Sequence, residues 1–273
     1  MADATLPLND GRAIPRLGFG TYQIGDGEAP GVVGEAIRAG YRLIDTAAAY
    51  GNEAGVGRAV RDAGVPRAEI VLTTKVWNDA HGFDAATRSC EASLKRLGLE
   101  AVDLLLIHWP CPGRNRFVET WKALVRLKAD GRARSIGVSN FREPDLERII
   151  GETGTAPAVN QIELHPRFQQ AALRAAHARH GIVTECWTPL GGDLLDDPAV
   201  TAIARKHGRS PAQVILRWHL EAGLVAIPKT TNPARMAENR GILDFRLDGD
   251  DQTRLAGLDS PGGRTGPDPA TFG

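Results

Sequence analysis

The chain has 273 residues, 42% hydrophobic, 24% charged and 5% aromatic, which fits one large domain or two small ones at about 150 residues each. Its 33 Lys and Arg balance 33 Asp and Glu, so no net field draws it to nucleic acid or an anionic membrane. No apolar run approaches the roughly 18 residues of a spanning helix.

Residues 1–10 carry neither the basic region nor the apolar stretch of a secretory leader, so a cytoplasmic protein is expected. Residues 5–16 form two short pieces around Asn9-Asp10-Gly11, a turn sequence that predicts a hairpin. Eight short apolar runs follow, at 17–22, 41–47, 70–76, 102–109, 135–140, 158–164, 183–188 and 224–229. Most are near-continuously apolar, as strands of a parallel sheet covered on both faces are. Between them lie helical patterns. Val56, Ala59, Val60 and Ala63 recur at i, i+3, i+4, i+7, and Cys90, Leu94 and Leu97 share one face, as do Phe117, Trp121, Leu124 and Val125. Two helices are expected between the seventh and eighth runs, at about 198–207 and 211–221. Asp197-Pro198, Ser210-Pro211 and Asn232-Pro233 each set a capping residue before a first-turn proline, and Ser210 with Gln213 has capping-box spacing.

Eight strand–helix units without a linker predict a single α/β domain over 1–273, a (β/α)8 TIM barrel with an N-terminal hairpin plugging its bottom and extra helices late in the chain. An open dinucleotide-binding sheet would place GxGxxG after its first strand. Gly18-Phe-Gly20 runs on into Thr-Tyr-Gln23, so the third glycine is missing, and no phosphate-binding GxxxxGK[ST] occurs. Three widely spaced cysteines, Cys90, Cys111 and Cys186, without CxxC read as reduced thiols.

A barrel gathers its chemistry at the C-terminal ends of its strands. Those positions carry Asp45 and Tyr50, Lys75, His108, Ser139 and Asn140, Gln161 and Glu163, Trp187 and Thr188, and Lys229 with Thr230. A lysine ending an apolar strand needs a counter-ion, and Asp45 is the nearest candidate. A cation beside a tyrosine favours its phenolate, and a histidine can orient a carbonyl. Taken singly, Asp45–Lys75 can also be read as a structural ion pair, Tyr50 as a turn aromatic and His108 as a core histidine.

The segments Asp45-Thr-Ala-Ala-Ala-Tyr50-Gly-Asn-Glu53, Thr-Thr-Lys75-Val-Trp, His108-Trp-Pro, Gly137-Val-Ser-Asn140, Asn160-Gln-Ile-Glu-Leu-His-Pro166 and Ile227-Pro-Lys229 resemble the aldo-keto reductases, in order along nearly the whole chain. The similarity is greatest to the short bacterial branch that includes 2,5-diketo-D-gluconic acid reductases. The resemblance implies NADPH-dependent reduction of small aldehydes and ketones. Tyr50 would donate the proton, Lys75 lower its pKa, Asp45 hold the lysine and His108 orient the carbonyl. It also implies that Trp187 stacks on the nicotinamide and that Ser139, Asn140 and Gln161 bind its carboxamide. Thr188, Leu190 and Gly191 would fold over the pyrophosphate, with Thr188 standing where many relatives carry serine. Lys229, Thr230 and Arg235 would grip the adenosine 2′-phosphate, and Glu238 and Asn239 the adenine. Segment 111–116 is short and the chain ends soon after Leu258. An open substrate pocket with few walls is therefore expected, built from Tyr22, Trp77, His108 and Trp109.

A Schiff-base lyase using Lys75 or Lys229 and a non-catalytic NADPH-binding sensor remain alternatives. His177 and His180, three apart on a helix with no third ligand, read as a helix-surface pair; no metal is expected. Nothing in the sequence demands an oligomer, so a monomer is expected.

Overall fold

The computed structural model describes residues 5–273; residues 1–4, part of the segment read for a leader, lie outside the described residues. Strands β1 (Thr5–Pro7) and β2 (Ala13–Pro15) pair antiparallel, Leu6 opposite Ile14. Gly11 turns the hairpin at a φ of 85°, which suits a residue without Cβ.

Eight parallel strands follow in sequence order around one sheet. They are β3 (Phe19–Gly20), β4 (Leu43–Asp45), β5 (Val71–Val76), β6 (Val102–Ile107), β7 (Ala133–Ser139), β8 (Val159–Glu163), β9 (Val183–Trp187) and β10 (Val225–Ala226). The helices between them are α1 (Ala29–Arg38), α2 (Glu53–Asp62), α3 (Phe83–Leu97), α4 (Phe117–Ala129), α5 (Glu143–Thr153) and α6 (Ala171–Arg179). Helices α7 (Pro198–His207) and α8 (Pro211–Glu221) both lie between β9 and β10, and α9 (Pro233–Arg240) and α10 (Gly249–Ala256) close the chain.

The sheet closes into a barrel where Leu17 bridges Ala226 in parallel. Gly18 N donates to Ala226 O (2.9 Å), Ala226 N to Arg16 O (3.0 Å) and Gly20 N to Pro228 O (3.1 Å). A side chain at Gly18 would stand 2.7 Å from Leu43 and 2.9 Å from Ile227, so the seam needs glycine there. The two seam strands are shorter than the apolar runs 17–22 and 224–229 that announce them. Pro228 has no N–H to continue the ladder.

Alternation along each strand sorts the core. Leu105, Ile107, Ile136 and Val138 face outward against the helices, packing with Trp121, Leu124 and Phe141. Leu43, Leu104, Leu106, Val159 and Val225 face inward and pack with Leu8 and Ile14 of the hairpin, which plugs the barrel from below. The predicted helix faces are buried: Val56, Ala59 and Val60 on α2, Cys90, Leu94 and Leu97 on α3, Phe117, Trp121 and Leu124 on α4. All three announced caps form. Asp197 accepts from Ala199 N (2.8 Å) and Asn232 from Ala234 N (2.9 Å), and Ser210 and Gln213 complete a capping box. Cys90, Cys111 and Cys186 are buried free thiols. Among the described residues, no helix is long and apolar enough to cross a membrane.

Candidate active site

The inward phase of four strands turns polar or charged towards their C-terminal ends. Asp45 follows Leu43 on β4, Lys75 follows Thr73 on β5, Gln161 follows Val159 on β8 and Glu185 follows Val183 on β9. Lys75 is fully buried, and each hydrogen of its ammonium has an acceptor. These are Asp45 Oδ2 at 2.6 Å, Thr46 O at 3.0 Å and Tyr50 Oη at 3.3 Å. Burial works against the charged lysine, but Asp45 and Tyr50 outweigh it and hold its pKa above the ordinary value.

Tyr50 ends a short 3-10 turn after β4, and Gly51 in the left-handed region stops that turn. Its ring lies 5.6 Å from His108 and 5.2 Å from Tyr22, centroid to centroid. Burial raises the phenol above its ordinary 10, while the Lys75 ammonium pulls it down. A neighbouring cation, visible in the sequence, accounts for only the second effect; the two act against each other and burial is the larger.

His108 follows β6, edge-on to Trp77 at 4.9 Å. Burial, then the nearby Lys75 charge, push its pKa well below 6.5. Its Nδ1 is buried without a partner.

A cavity of about 660 Å³ opens above these groups. Its lining includes Tyr22, Asp45, Tyr50, Trp77, His108, Trp109, Ser139, Asn140, Gln161, Trp187, Thr188, Leu190, Gly191 and Lys229. Most of the predicted positions therefore meet at one mouth. Trp187 Nε1 donates to Asn140 Oδ1 (2.8 Å), and Asn140 Nδ2 donates to His108 O (3.0 Å) and Ser139 Oγ (3.0 Å). Asn140 and Thr188 adopt φ of 63° and 48°. Asparagine tolerates that region; a β-branched threonine there is strained, and such strain clusters at functional sites.

Besides Lys75, fully buried beneath the cavity, four predicted residues lie away from that lining. Thr230 is buried and accepts from Asn232 N (3.1 Å), Arg235 is exposed on the first turn of α9, and Glu238 is half-buried beside them. Asn239 is buried near Tyr41, whose hydroxyl donates to Met236 O (3.1 Å).

The expectation of a pocket with few walls needs correction. Segment 257–273 returns across the mouth, and its Pro267 and Phe272 line the cavity. Phe272 packs against Trp109, with ring centroids 4.5 Å apart and the planes tilted by 51°. The Glu163 carboxylate holds the segment, accepting from Thr265 N and Oγ1 (both 2.6 Å) and Gly266 N (3.0 Å). Gly266 lies so close to Trp187 that a Cβ would stand 2.4 Å from the indole.

The histidine pair is also corrected in part. His177 is buried between Asn160 (2.9 Å) and Thr184 (2.8 Å), and only His180 is on the surface, 2.8 Å from Glu147.

The aldo/keto reductase family model matches residues 16–260. An aldo-keto reductase of Mycolicibacterium smegmatis is 52% identical over 268 residues, covering 98% of this chain and 97% of that protein. The methylglyoxal reductase DkgA of Escherichia coli is 48% identical over 280 residues, covering 100% of both. The crystal structure of a Gox0644 mutant in complex with NADPH superposes with a TM-score of 0.95 at 49% identity, covering 98% of each chain. With the family model spanning most of its length and relatives near half identity along all of it, the chain belongs to the aldo/keto reductase family.

Proposed function

We propose that the protein reduces small aldehydes and ketones, dicarbonyls included, to alcohols with NADPH. The observation that carries this reading is the convergence of Asp45, Lys75, Tyr50 and His108 beneath one cavity, with the lysine bonded to both the aspartate and the tyrosine. The raised phenol pKa keeps Tyr50 protonated at neutral pH, the form a proton donor requires. His108 stays neutral. An N–H on the buried, unpartnered Nδ1 would be costlier than a bare acceptor there, so the proton belongs on Nε2, where it donates to a carbonyl oxygen. Tyr50 then gives its proton to the developing alkoxide, and Lys75, 3.3 Å away, stabilises the phenolate left behind.

The residues fit a nicotinamide dinucleotide. The cavity runs from Tyr50 past Trp187 to Lys229, and Gly191 and Gly192, both at positive φ, give the 188–192 turn a backbone that a pyrophosphate can approach closely. Trp187 offers a flat face, and Ser139, Asn140 and Gln161 offer polar atoms for the carboxamide. Lys229, Thr230 and Arg235 at the start of α9 would bind the 2′-phosphate, with Glu238 and Asn239 near the adenine. When bound, the dinucleotide supplies the hydride that reaches the carbonyl carbon. Tyr22, Trp77, His108 and Trp109 would surround the substrate. The relatives agree in kind: one is a methylglyoxal reductase and another is bound to NADPH.

A Schiff-base role for Lys75 fits poorly, because an attacking lysine must lose a proton and this ammonium is held charged by three acceptors. The same reading takes the protein as a cytoplasmic monomer. Tyr22, Phe83 and Leu243, the exposed large apolar side chains among the described residues, belong to separate segments of the chain.

Tryptophan fluorescence titrated with NADPH and NADH, with steady-state turnover of methylglyoxal, tests the proposal on wild type and Tyr50→Phe. Wild type is expected to bind NADPH more tightly than NADH and to turn over. The phenylalanine variant is expected to bind NADPH within about twofold and lose 10²–10⁴-fold in kcat, roughly the contribution of a positioned general acid. Binding without turnover would favour the sensor, and unchanged kcat in the variant would remove Tyr50 from the reaction.

A further inference from the structure

Glu185 is a fully buried carboxyl inside the barrel that the reaction above leaves without a task. It sits on β9 directly beside Gln161 of β8 in the parallel register, and Gln161 is in turn paired with Ser139 of β7. Gln161 Nε2 donates to Glu185 Oε2 at 2.7 Å and to Asp45 Oδ1 at 2.8 Å. Glu185 Oε1 has no partner.

These partners decide which way the Gln161 amide faces. Both neighbours below it are carboxyl oxygens, and Asp45 Oδ1 belongs to the charged carboxylate whose other oxygen, Oδ2, pairs with Lys75. A reversed amide would set its carbonyl against that charge. The NH2 end must point down, and both its hydrogens are spent there. Gln161 lines the cavity, so Oε1 is the polar atom it has left to offer. The neighbouring polar groups are differently committed. Asn140 spends both amide hydrogens on His108 O and Ser139 Oγ, and the Ser139 hydroxyl donates to Gln161 O (2.8 Å). An acceptor on Gln161 therefore complements a ligand amide that brings N–H donors.

We infer that Glu185 is a positioning residue: by taking the second N–H of Gln161 it locks that amide with its carbonyl towards the cavity, where it accepts from the carboxamide NH2 of the nicotinamide. Glu185 never touches the dinucleotide; its influence passes through one amide and stops at the nicotinamide end. The inference rests on the cofactor reading above, and the experiment separates the two.

Affinities for three probes are to be measured by fluorescence: NADP+, its 3-acetylpyridine analogue, in which a methyl ketone leaves no N–H to donate, and 2′-phospho-ADP-ribose, which lacks the nicotinamide. Wild type should bind NADP+ more tightly than the acetylpyridine analogue. Glu185→Met keeps the side chain's length but accepts no such bond. It should weaken NADP+ about fivefold, in line with one lost hydrogen bond, and narrow the preference over the analogue. Its affinity for 2′-phospho-ADP-ribose should stay within about twofold. Glu185→Gln, which can still accept from Gln161, should restore NADP+ binding. A purely structural carboxyl would lower Tm while leaving the three affinities in their wild-type ratios, and that result overturns the inference. So does a wild-type protein indifferent to the acetylpyridine exchange, a measurement that needs no variant to fold. If wild type binds none of the probes, the cofactor reading itself falls and takes this inference with it.

Discussion

At Lys75 an ammonium survives complete burial because each of its hydrogens finds an acceptor and one of these, Asp45, carries the opposite charge. Removing one partner of a buried pair leaves the other charge uncompensated, at a cost of about 3–5 kcal/mol. Asp45→Asn is therefore expected to lose stability of that order in chemical denaturation and to lose turnover as well. Tyr50→Phe should lose turnover with a smaller loss of stability, since its hydroxyl is uncharged and the most distant of the three acceptors. Comparable stability in wild type and Asp45→Asn would mean that the pair contributes nothing to the fold. His108 gives a second expectation. Its pKa is depressed by burial and then by Lys75, so it takes up a proton only well below 6.5. The rate of reduction should accordingly show no acid inflection near 6.5, and one found there and abolished by substituting His108 would show that the imidazole changes charge in the working range. Lys75 was legible in the sequence because a cation at the end of an apolar run is anomalous. Glu185 presents the same anomaly within Val183-Thr-Glu-Cys-Trp187. It is less conspicuous because it lies two residues short of the strand end, within a stretch that reads as part of an apolar run.

Strands and helices were legible where local chemistry marks them. Asp197, Ser210 and Asn232 cap the helices they announce, and the hairpin turns at Gly11. Segment 257–273 has no such signature. Its glycines and prolines give no periodicity, and its place at the mouth depends on Glu163, 102 positions away from Thr265. A docking of that kind is set by tertiary contacts that a single sequence does not display. The tail nevertheless bears on function, because Phe272 completes the wall that Trp109 begins. Removing the ring from that wall takes away apolar contact for a small substrate on the order of 1 kcal/mol, so Phe272→Ala should raise KM for small carbonyls about two- to tenfold. It should leave NADPH affinity nearly unchanged, since the loss falls on substrate contacts. Unaltered KM across a carbonyl panel would show that the tail covers the cavity without meeting the substrate.

On the scale of the whole molecule, the barrel is unevenly tied. β5 and β6 have six residues each and β7 has seven, whereas the seam joins β3 and β10, of two residues each. The cavity straddles this weak side, with Gly20, Tyr22 and Tyr50 from the start of the chain and Trp187, Ile227 and Lys229 from its end lining one space. A ligand extended along it binds both sides of the seam and binds only the folded barrel. Its effect on stability then follows from mass action: at one hundred times Kd it adds about 2.7 kcal/mol. For a chain of this size each kcal/mol moves Tm by roughly 2–4 °C, so saturating NADPH should raise Tm by about 5–10 °C. NADH at the same concentration should raise it less, because Lys229, Thr230 and Arg235 have no 2′-phosphate to hold, and Arg235→Ala should narrow the gap between the two. Equal shifts from NADPH and NADH in the wild-type protein would show that the start of α9 does not read the phosphate.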